Sequence, residues 1–243
     1  KMLDYVPTSA RGATANVRVS FTTAVSTPNS PTLTIAQNTR FTAAINGVSY
    51  FFVTPKSYTI SANSINKFRQ DIELVEGLPL THRFAFTTSN TAFVLPNKNV
   101  DTRSISVTVA SGANTDIYTE ATSLLTVNSS SQVFYLEAER DNKYKIGFGD
   151  NVLGRRPAYN STIAISYRVC NALKGNGANN FTAVGTIAGQ SNFTLQCLER
   201  ATGGAAQESI ESIKFNAPKM YETQGRGVVD QDYARIIKRD NTD

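Results

Sequence analysis

Hydrophobic and polar residues alternate with a period of two along much of the chain, the mark of strands with one packed face and one wet face. In residues 15–21, Ala15, Val17, Val19 and Phe21 point one way and Asn16, Arg18 and Ser20 the other. Residues 104–110 repeat the pattern through Ile105, Val107 and Val109, and residues 162–169 through Ile163, Ile165, Tyr167 and Val169. Shorter predicted strands cover 32–36, 48–54, 58–60, 71–75, 83–87 and 92–95. Turn sequences punctuate them: Pro28-Asn29-Ser30-Pro31, Asn46-Gly47, Pro96-Asn97, Ser111-Gly112 and Asp141-Asn142. Asn46-Gly47 joins 41–45 to 48–53 as a two-residue hairpin, and Arg140–Lys143 joins 133–139 to 144–148 as a second. Gly147 and Gly149 bracket Phe148 and predict a tight bend there.

The pattern changes near the C-terminus. Gly203-Gly204 interrupts the alternation, and 205–215 carries Ile210, Ile213 and Lys214 at helical spacing, with Pro218 as the stop. A second helix is predicted from Asp230 as N-cap, with Tyr233, Ile236 and Ile237 on one face. The fold class is therefore mainly β: linked antiparallel β domains with a small helical C-terminal element. The apolar helix face runs to Asp243 with nothing to close it, so the chain is expected to be a fragment of a longer protein.

Composition narrows the chemistry. The 243 residues include 28 Thr, 21 Ser and 21 Asn, with one His, two Cys and no Trp. One histidine (His82) and two cysteines 27 positions apart cannot assemble a zinc or iron–sulfur site. Cys170 and Cys197 are expected to pack as small apolar groups. The net charge of +5 is spread thinly, without a phosphate-gripping stripe, so nucleic acid is not an expected partner. The longest apolar runs fall far short of a bilayer span, so no membrane partner is expected either.

Catalytic constellations are poor. His82, in Leu80-Thr81-His82-Arg83, reads as a surface-loop histidine. There is no Gly-x-Ser-x-Gly elbow. Gly147 to Gly154 resembles a phosphate loop at a glance, but lacks the Gly-Lys-Ser/Thr ending and follows a strand without opening a helix. Glu137 and Glu139 lie on one strand face, not across a cleft as a glycosidase needs, and read as a solvated charged hairpin. Asp150-Asn151 lacks the acidic repeat of a calcium loop. Asn-x-Ser/Thr sequons at Asn128, Asn160, Asn180 and Asn192 matter only in a secreted eukaryotic protein. No cofactor is expected, and the residues alone point to a non-enzymatic scaffold or binding protein.

Two stretches carry a family resemblance. Residues 133–157 read Val-Phe-Tyr-Leu-Glu-Ala-Glu-Arg-Asp-Asn-Lys-Tyr-Lys-Ile-Gly-Phe-Gly-Asp-Asn-Val-Leu-Gly-Arg-Arg-Pro, followed by the alternating strand 161–169 and the Gly/Asn-rich Gly175–Phe181. Further on come Gly203-Gly204, Glu208-Ser-Ile-Glu-Ser-Ile, Phe215-Asn-Ala-Pro218, then Tyr221 and Gly225-Arg226-Gly-Val-Val-Asp-Gln-Asp-Tyr233. Leu95-Pro-Asn-Lys-Asn-Val-Asp-Thr and Tyr5-Val-Pro-Thr-Ser-Ala add to the set. In this order the elements resemble the baseplate wedge proteins of contractile-tailed phages, the baseplate J-like family, and most closely the C-terminal part of the large wedge subunit of T-even-type phages. Gly227 and Asp230 depart from the usual Ala and Thr of that pattern, while Arg226, Asp232 and Tyr233 match it.

The resemblance implies a structural tail component and not an enzyme. It would lie in the virion baseplate, and in the host cytoplasm during assembly. It would pair as a homodimer, join an inner baseplate ring around the central hub beside other wedge proteins, and rearrange when the sheath contracts. It further implies a first β domain over 1–80 completed by 173–202, an inserted β domain over 81–172, and a helical element over 203–243; two consecutive sandwiches are the alternative. Ile210, Ile213, Phe215, Arg226, Tyr233, Ile236 and Ile237 become the expected subunit contacts, against packing of these helices on the β body. A secreted β-sandwich adhesin or carbohydrate-binding module is the competing class, though no Trp is present for sugar stacking.

Overall fold

The computed structural model describes residues 6–22, 32–64, 67–122 and 126–223. They fall into two compact units, Ser9–Ala206 and a second that joins the residues up to Thr8 with those from Gln207 on. Among the described residues are fifteen strands and one α-helix: β1 (Thr14–Thr22), β2 (Thr32–Ile35), β3 (Arg40–Ile45), β4 (Val48–Val53), β5 (Tyr58–Ser64), β6 (Lys67–Glu76), β7 (Leu78–Ala85), β8 (Ala92–Val94), β9 (Val100–Ser111), β10 (Asn114–Glu120), β11 (Val133–Glu139), β12 (Lys143–Phe148), β13 (Thr162–Val169), β14 (Phe181–Ala183), β15 (Phe193–Thr202) and α1 (Ile210–Thr223).

The strands make two sheets. The first has the order β14-β3-β4-β6-β1-β15, with β5 paired to the start of β6 and β2 to β5. The second has the order β7-β13-β9-β10-β11-β12-β8. Pairing is antiparallel except between β10 and β11, where only Thr119↔Val133 and Glu120↔Phe134 are in register. The chain passes from the first sheet to the second at Gly77 and returns after Val169. The class is mainly β, in agreement with the alternation read from the chain.

That alternation shows directly in burial. Ala15, Val17, Val19 and Phe21 are all at most 1% exposed. They join Phe41, Phe52, Ile60, Ile72 and Leu74 in the first core. A second core gathers Val107, Val109, Tyr144, Ile146, Ile163, Ile165 and Tyr167, with Ile105 only partly buried against it. Phe148 sits among aromatics, 5.4 Å from the Tyr118 ring and 6.0 Å from Phe86, both edge-on. Burying such side chains contributes roughly 1.5–3 kcal/mol each, which is why a period-two pattern holds its register.

Both predicted hairpins form. Asn46 and Gly47 take φ of 50° and 80°, the positive values that a two-residue turn needs to follow the strand twist. Lys143 pairs with Glu139 across the second hairpin.

Four expectations are corrected. Several strands are longer than read: 58–60 extends to Ser64, 71–75 is the middle of Lys67–Glu76, and 83–87 is replaced by Leu78–Ala85. Pro79 is tolerated there because β7 is an edge strand whose N–H groups are not all needed by a neighbour. His82 is a half-buried strand residue of β7, stacked on Tyr167 at 5.7 Å, and not a loop histidine. Gly147 makes no bend: it pairs with Tyr135 and Ala92 inside the sheet, and the tight turn begins at Gly149. The helix starts at Ile210, five residues later than read, and Pro218 lies within it and does not end it. A proline removes one N–H from the ladder, and the helix continues past it to Thr223. The predicted second helix, from Asp230, lies outside the described residues.

Candidate functional site

The helical unit, the Gly149–Gly154 turn and the junction between the sheets gather the residues singled out by the sequence and the densest polar bonding.

In the helical unit, Ser209 caps α1: its Oγ accepts from the Ser212 N–H at 3.2 Å. Glu208 ties the two chain segments together, its N–H donating to the Thr8 carbonyl at 3.0 Å and its Oε2 accepting from the Thr8 N–H at 3.2 Å. Its Oε1 accepts from Ser212 Oγ at 2.6 Å and from Asn216 Nδ2 at 3.1 Å. Ile210 is 64% exposed, Ile213 is half-buried and Ala217 is buried. At about 100° per residue these three share a face, while Phe215, also 64% exposed, stands well off it. The other expected contacts, Arg226, Tyr233, Ile236 and Ile237, lie outside the described residues.

The Phe-Gly-Asp-Asn-Val-Leu-Gly segment forms a heavily braced turn. Asp150 Oδ1 accepts from the N–H groups of Val152 and Leu153, both at 3.0 Å, and Asn151 Oδ1 from that of Arg156 at 2.9 Å. The Asn151 N–H reaches the Gly154 carbonyl at 2.9 Å, and Gly154 and Arg155 donate to the carbonyls of Asn128 and Ser131. Those donated N–H bonds hold the Asp150 carboxyl below its ordinary pKa. A side chain at Gly149 would collide with the Gly154 carbonyl, so glycine is needed there by close approach. The turn presents Val152, 70% exposed, beside Leu153, with the Arg156 guanidinium over the Tyr159 ring.

At the sheet junction, Glu76 closes the inward row Ile72, Leu74, Glu76 of β6 and is fully buried. Its carboxylate accepts from the Asn171 N–H at 3.0 Å and from Asn171 Nδ2 at 2.8 Å. Burial raises its pKa, against the lowering by the Asn171 bonds and the Arg168 charge. Asp101 is also fully buried, and Arg168 and Arg103 reach it at 3.2 Å each. Ser9 Oγ accepts from the Thr102 N–H at 3.1 Å. Ser9 and Asp101 lie in stretches that carry the family resemblance, but neither Glu76 nor Asn171 was expected to matter from the sequence. The one available signal was the period of two, which places Glu76 inward with Ile72 and Leu74.

The remaining candidates resolve into local structure. Glu137 pairs across the hairpin with Lys145 at 2.9 Å, and Glu139 accepts from the Arg140 N–H. Cys170 is buried and its thiol is pushed up to about 11, mainly by burial, while Cys197 packs half-buried against the first core. Among the described residues no group of three or more His, Cys, Asp or Glu could hold a metal ion. Among the same residues no helix is long and apolar enough to cross a membrane.

No known family profile matches the chain. It is 26% identical over 261 aligned positions to baseplate wedge protein gp6 of Enterobacteria phage T4. The match covers 96% of this chain and 38% of the relative, so the chain spans well under half of the protein it is similar to.

Proposed function

We propose that the chain is a structural component of a phage tail baseplate wedge, located in the virion, and that it works by contact and not by catalysis. The observation that carries this reading is the similarity to a baseplate wedge protein along 96% of the chain. Two separate β cores with wet outer faces suit a part that must be stiff and present a large surface. The braced Phe-Gly-Asp turn lies within the stretch whose motif resembles the wedge proteins and, more broadly, the baseplate J-like family.

In this reading the chain self-associates through its C-terminal helical element, with Ile210 and Phe215 among the contacts, and takes part in a ring of wedge subunits that rearranges on contraction. Assembly would take place in the host cytoplasm. Residues 81–172 form an inserted β domain within a first domain that 173–202 completes; the pairing of β15 with β1 and of β14 with β3 supports that division.

Two measurements test the proposal. Antibodies to this chain should decorate the baseplate end of tails in electron micrographs, and decoration of capsids alone would overturn the reading. Light scattering across a concentration series should show a dimer or larger species that Ile210→Asp with Phe215→Asp dissociates, with the β circular dichroism unchanged. A species that the double variant leaves intact would remove the helix from the contact.

A further inference from the structure

Among the described residues two passages of chain join the two sheets, and both meet at one carboxylate. The outward passage is a single residue, Gly77, between the last residue of β6 and the first of β7. Its φ is +130°, and a Cβ there would lie 2.8 Å from the Val169 carbonyl oxygen of the return passage. The return passage runs through Cys170, Asn171 and Ala172, and Ala172 holds a φ of 54°, a region that side-chain-bearing residues adopt at a cost. Across these passages, 95 residues apart, the Glu76 carboxylate takes three bonds from Asn171: the backbone N–H is shared between its two oxygens at 3.0 and 3.2 Å, and Nδ2 adds one at 2.8 Å.

Two glycines pack closely against Glu76. A Cβ on Gly175 would lie 2.7 Å from Glu76 Cγ, and one on Gly12 would strike the Glu76 carbonyl. Glu76 is also anchored from behind, its N–H donating to the carbonyl of Ala13, just before β1, at 2.8 Å. The charged and titratable groups facing it are Arg168, Asp101 and the Cys170 thiol, all on or beside the second sheet. A buried carboxylate is costly unless it is well bonded, and here the bonds come from the opposite passage. Nothing in either core needs an acid at this position; an aliphatic residue would continue the row of Ile72 and Leu74.

We infer that Glu76 and Asn171 form a clasp that locks the two sheets at a fixed angle, and that Gly77 with the Cys170–Ala172 turn is the hinge the clasp holds shut. The geometry carries this for any function of the chain and does not rest on the baseplate reading. With the clasp closed the two sheets turn as one body. With it open, the angle is left to two single-stranded passages, each containing a residue at positive φ, the Gly77 N–H bond to the Phe51 carbonyl at 2.9 Å and the Ser9–Thr102 bond.

Distance measurement between the sheets tests the clasp. Spin labels at Ser106→Cys in the second sheet and Gln196→Cys in the first, in a Cys197→Ser background, report the angle as a distance distribution. The clasped chain should give one narrow distribution. Glu76→Gln replaces one acceptor oxygen by a donor facing the Asn171 N–H, and should broaden or shift it while far-UV circular dichroism stays that of the parent. Asn171→Ala removes only the Nδ2 bond and keeps the buried acid, so it carries the test if Glu76→Gln fails to fold. A distribution with the parent's width and centre in the folded variants would overturn the clasp.

Discussion

Gly147 and Gly149 flank the same phenylalanine, yet the structure assigns them opposite tolerances. A Cβ on Gly147 meets nothing within 4 Å, and the residue sits in ordinary strand pairing. Alanine there should be neutral or add up to about 1 kcal/mol, by restricting the unfolded chain. A Cβ on Gly149 collides with the carbonyls of Leu153 and Gly154. Neither side can simply move away. Phe148 is held among Tyr118, Phe86 and Phe93, while Gly154 and Arg155 are tied to the carbonyls of Asn128 and Ser131. The relief available is to open the turn, which breaks the Asn151–Gly154 bond, the two N–H bonds to Asp150 and the Tyr135 hydroxyl bond to the Leu153 carbonyl. At about 0.5–1 kcal/mol net for each exposed bond, Gly149→Ala should destabilise the chain by about 2–4 kcal/mol. Urea unfolding followed by far-UV circular dichroism measures this; with no Trp present, tyrosine emission is the second probe. The midpoint should fall for Gly149→Ala and hold or rise for Gly147→Ala, with equal slopes. If the two variants differ by less than about 0.5 kcal/mol, the close approach of Gly149 to Gly154 is not what demands glycine.

Further predictions follow from the same geometry. Because its folded pKa is lowered by the Leu153 and Val152 N–H groups, Asp150 contributes stability that is present above the ordinary aspartate pKa of about 3.9 and is lost as pH falls through the lower folded value; Asp150→Asn should therefore flatten the acid limb of a stability–pH curve, and an unchanged limb would refute the assignment. Asp101→Ala strands the largely buried Arg168 and should cost about 3–5 kcal/mol in a thermal or urea melt; a loss under 1 kcal/mol would mean that water takes over from the carboxylate. In native protein, iodoacetamide should alkylate Cys197 well before Cys170, whose thiol is buried and pushed up to about 11, with both reacting in denaturant. Peptide mass spectrometry reads the order, and early modification of Cys170 would contradict its burial.

What was legible in the chain is what a single strand can show by itself. Thr14–Thr22 and Thr162–Val169 declare themselves because every second residue is apolar and each inward residue but the half-buried Val169 is buried. Asn46-Gly47 declares its hairpin because few residue pairs accept two positive φ values. Asn114–Glu120 did not stand out, since within Asn-Thr-Asp-Ile-Tyr-Thr-Glu only Tyr118 is buried and Ile117 is 67% exposed. Phe193–Thr202 hides for a related reason: it is a sheet edge, where polar residues replace the apolar signal. The start of α1 was misplaced because Ala205 is spaced like a helical residue but bridges to Arg11 as extended chain. The Glu76–Asn171 bond joins residues 95 apart, and no local pattern carries that information. Surface exposure divides in the same way: the helical placement of Ile210 and Ile213 follows from their spacing, whereas the exposure of Val152 and Leu153 shows only once Gly149 and Gly154 are seen to meet.

The pairing of β15 with β1 also governs the order in which the chain can complete itself during synthesis. β1 can find β6 as soon as Glu76 has left the ribosome, but its other edge has no native neighbour until Phe193 follows, about 170 residues after β1 ends. At about 5–20 residues per second, that edge stays open for roughly 9–34 s on every nascent chain. During that time β1 offers unpaired backbone groups beside a row of Val and Phe, the kind of edge that recruits strands from neighbouring nascent chains. Closely spaced ribosomes on one message would therefore hold several half-closed sheets side by side, and β15 is the strand that closes each one.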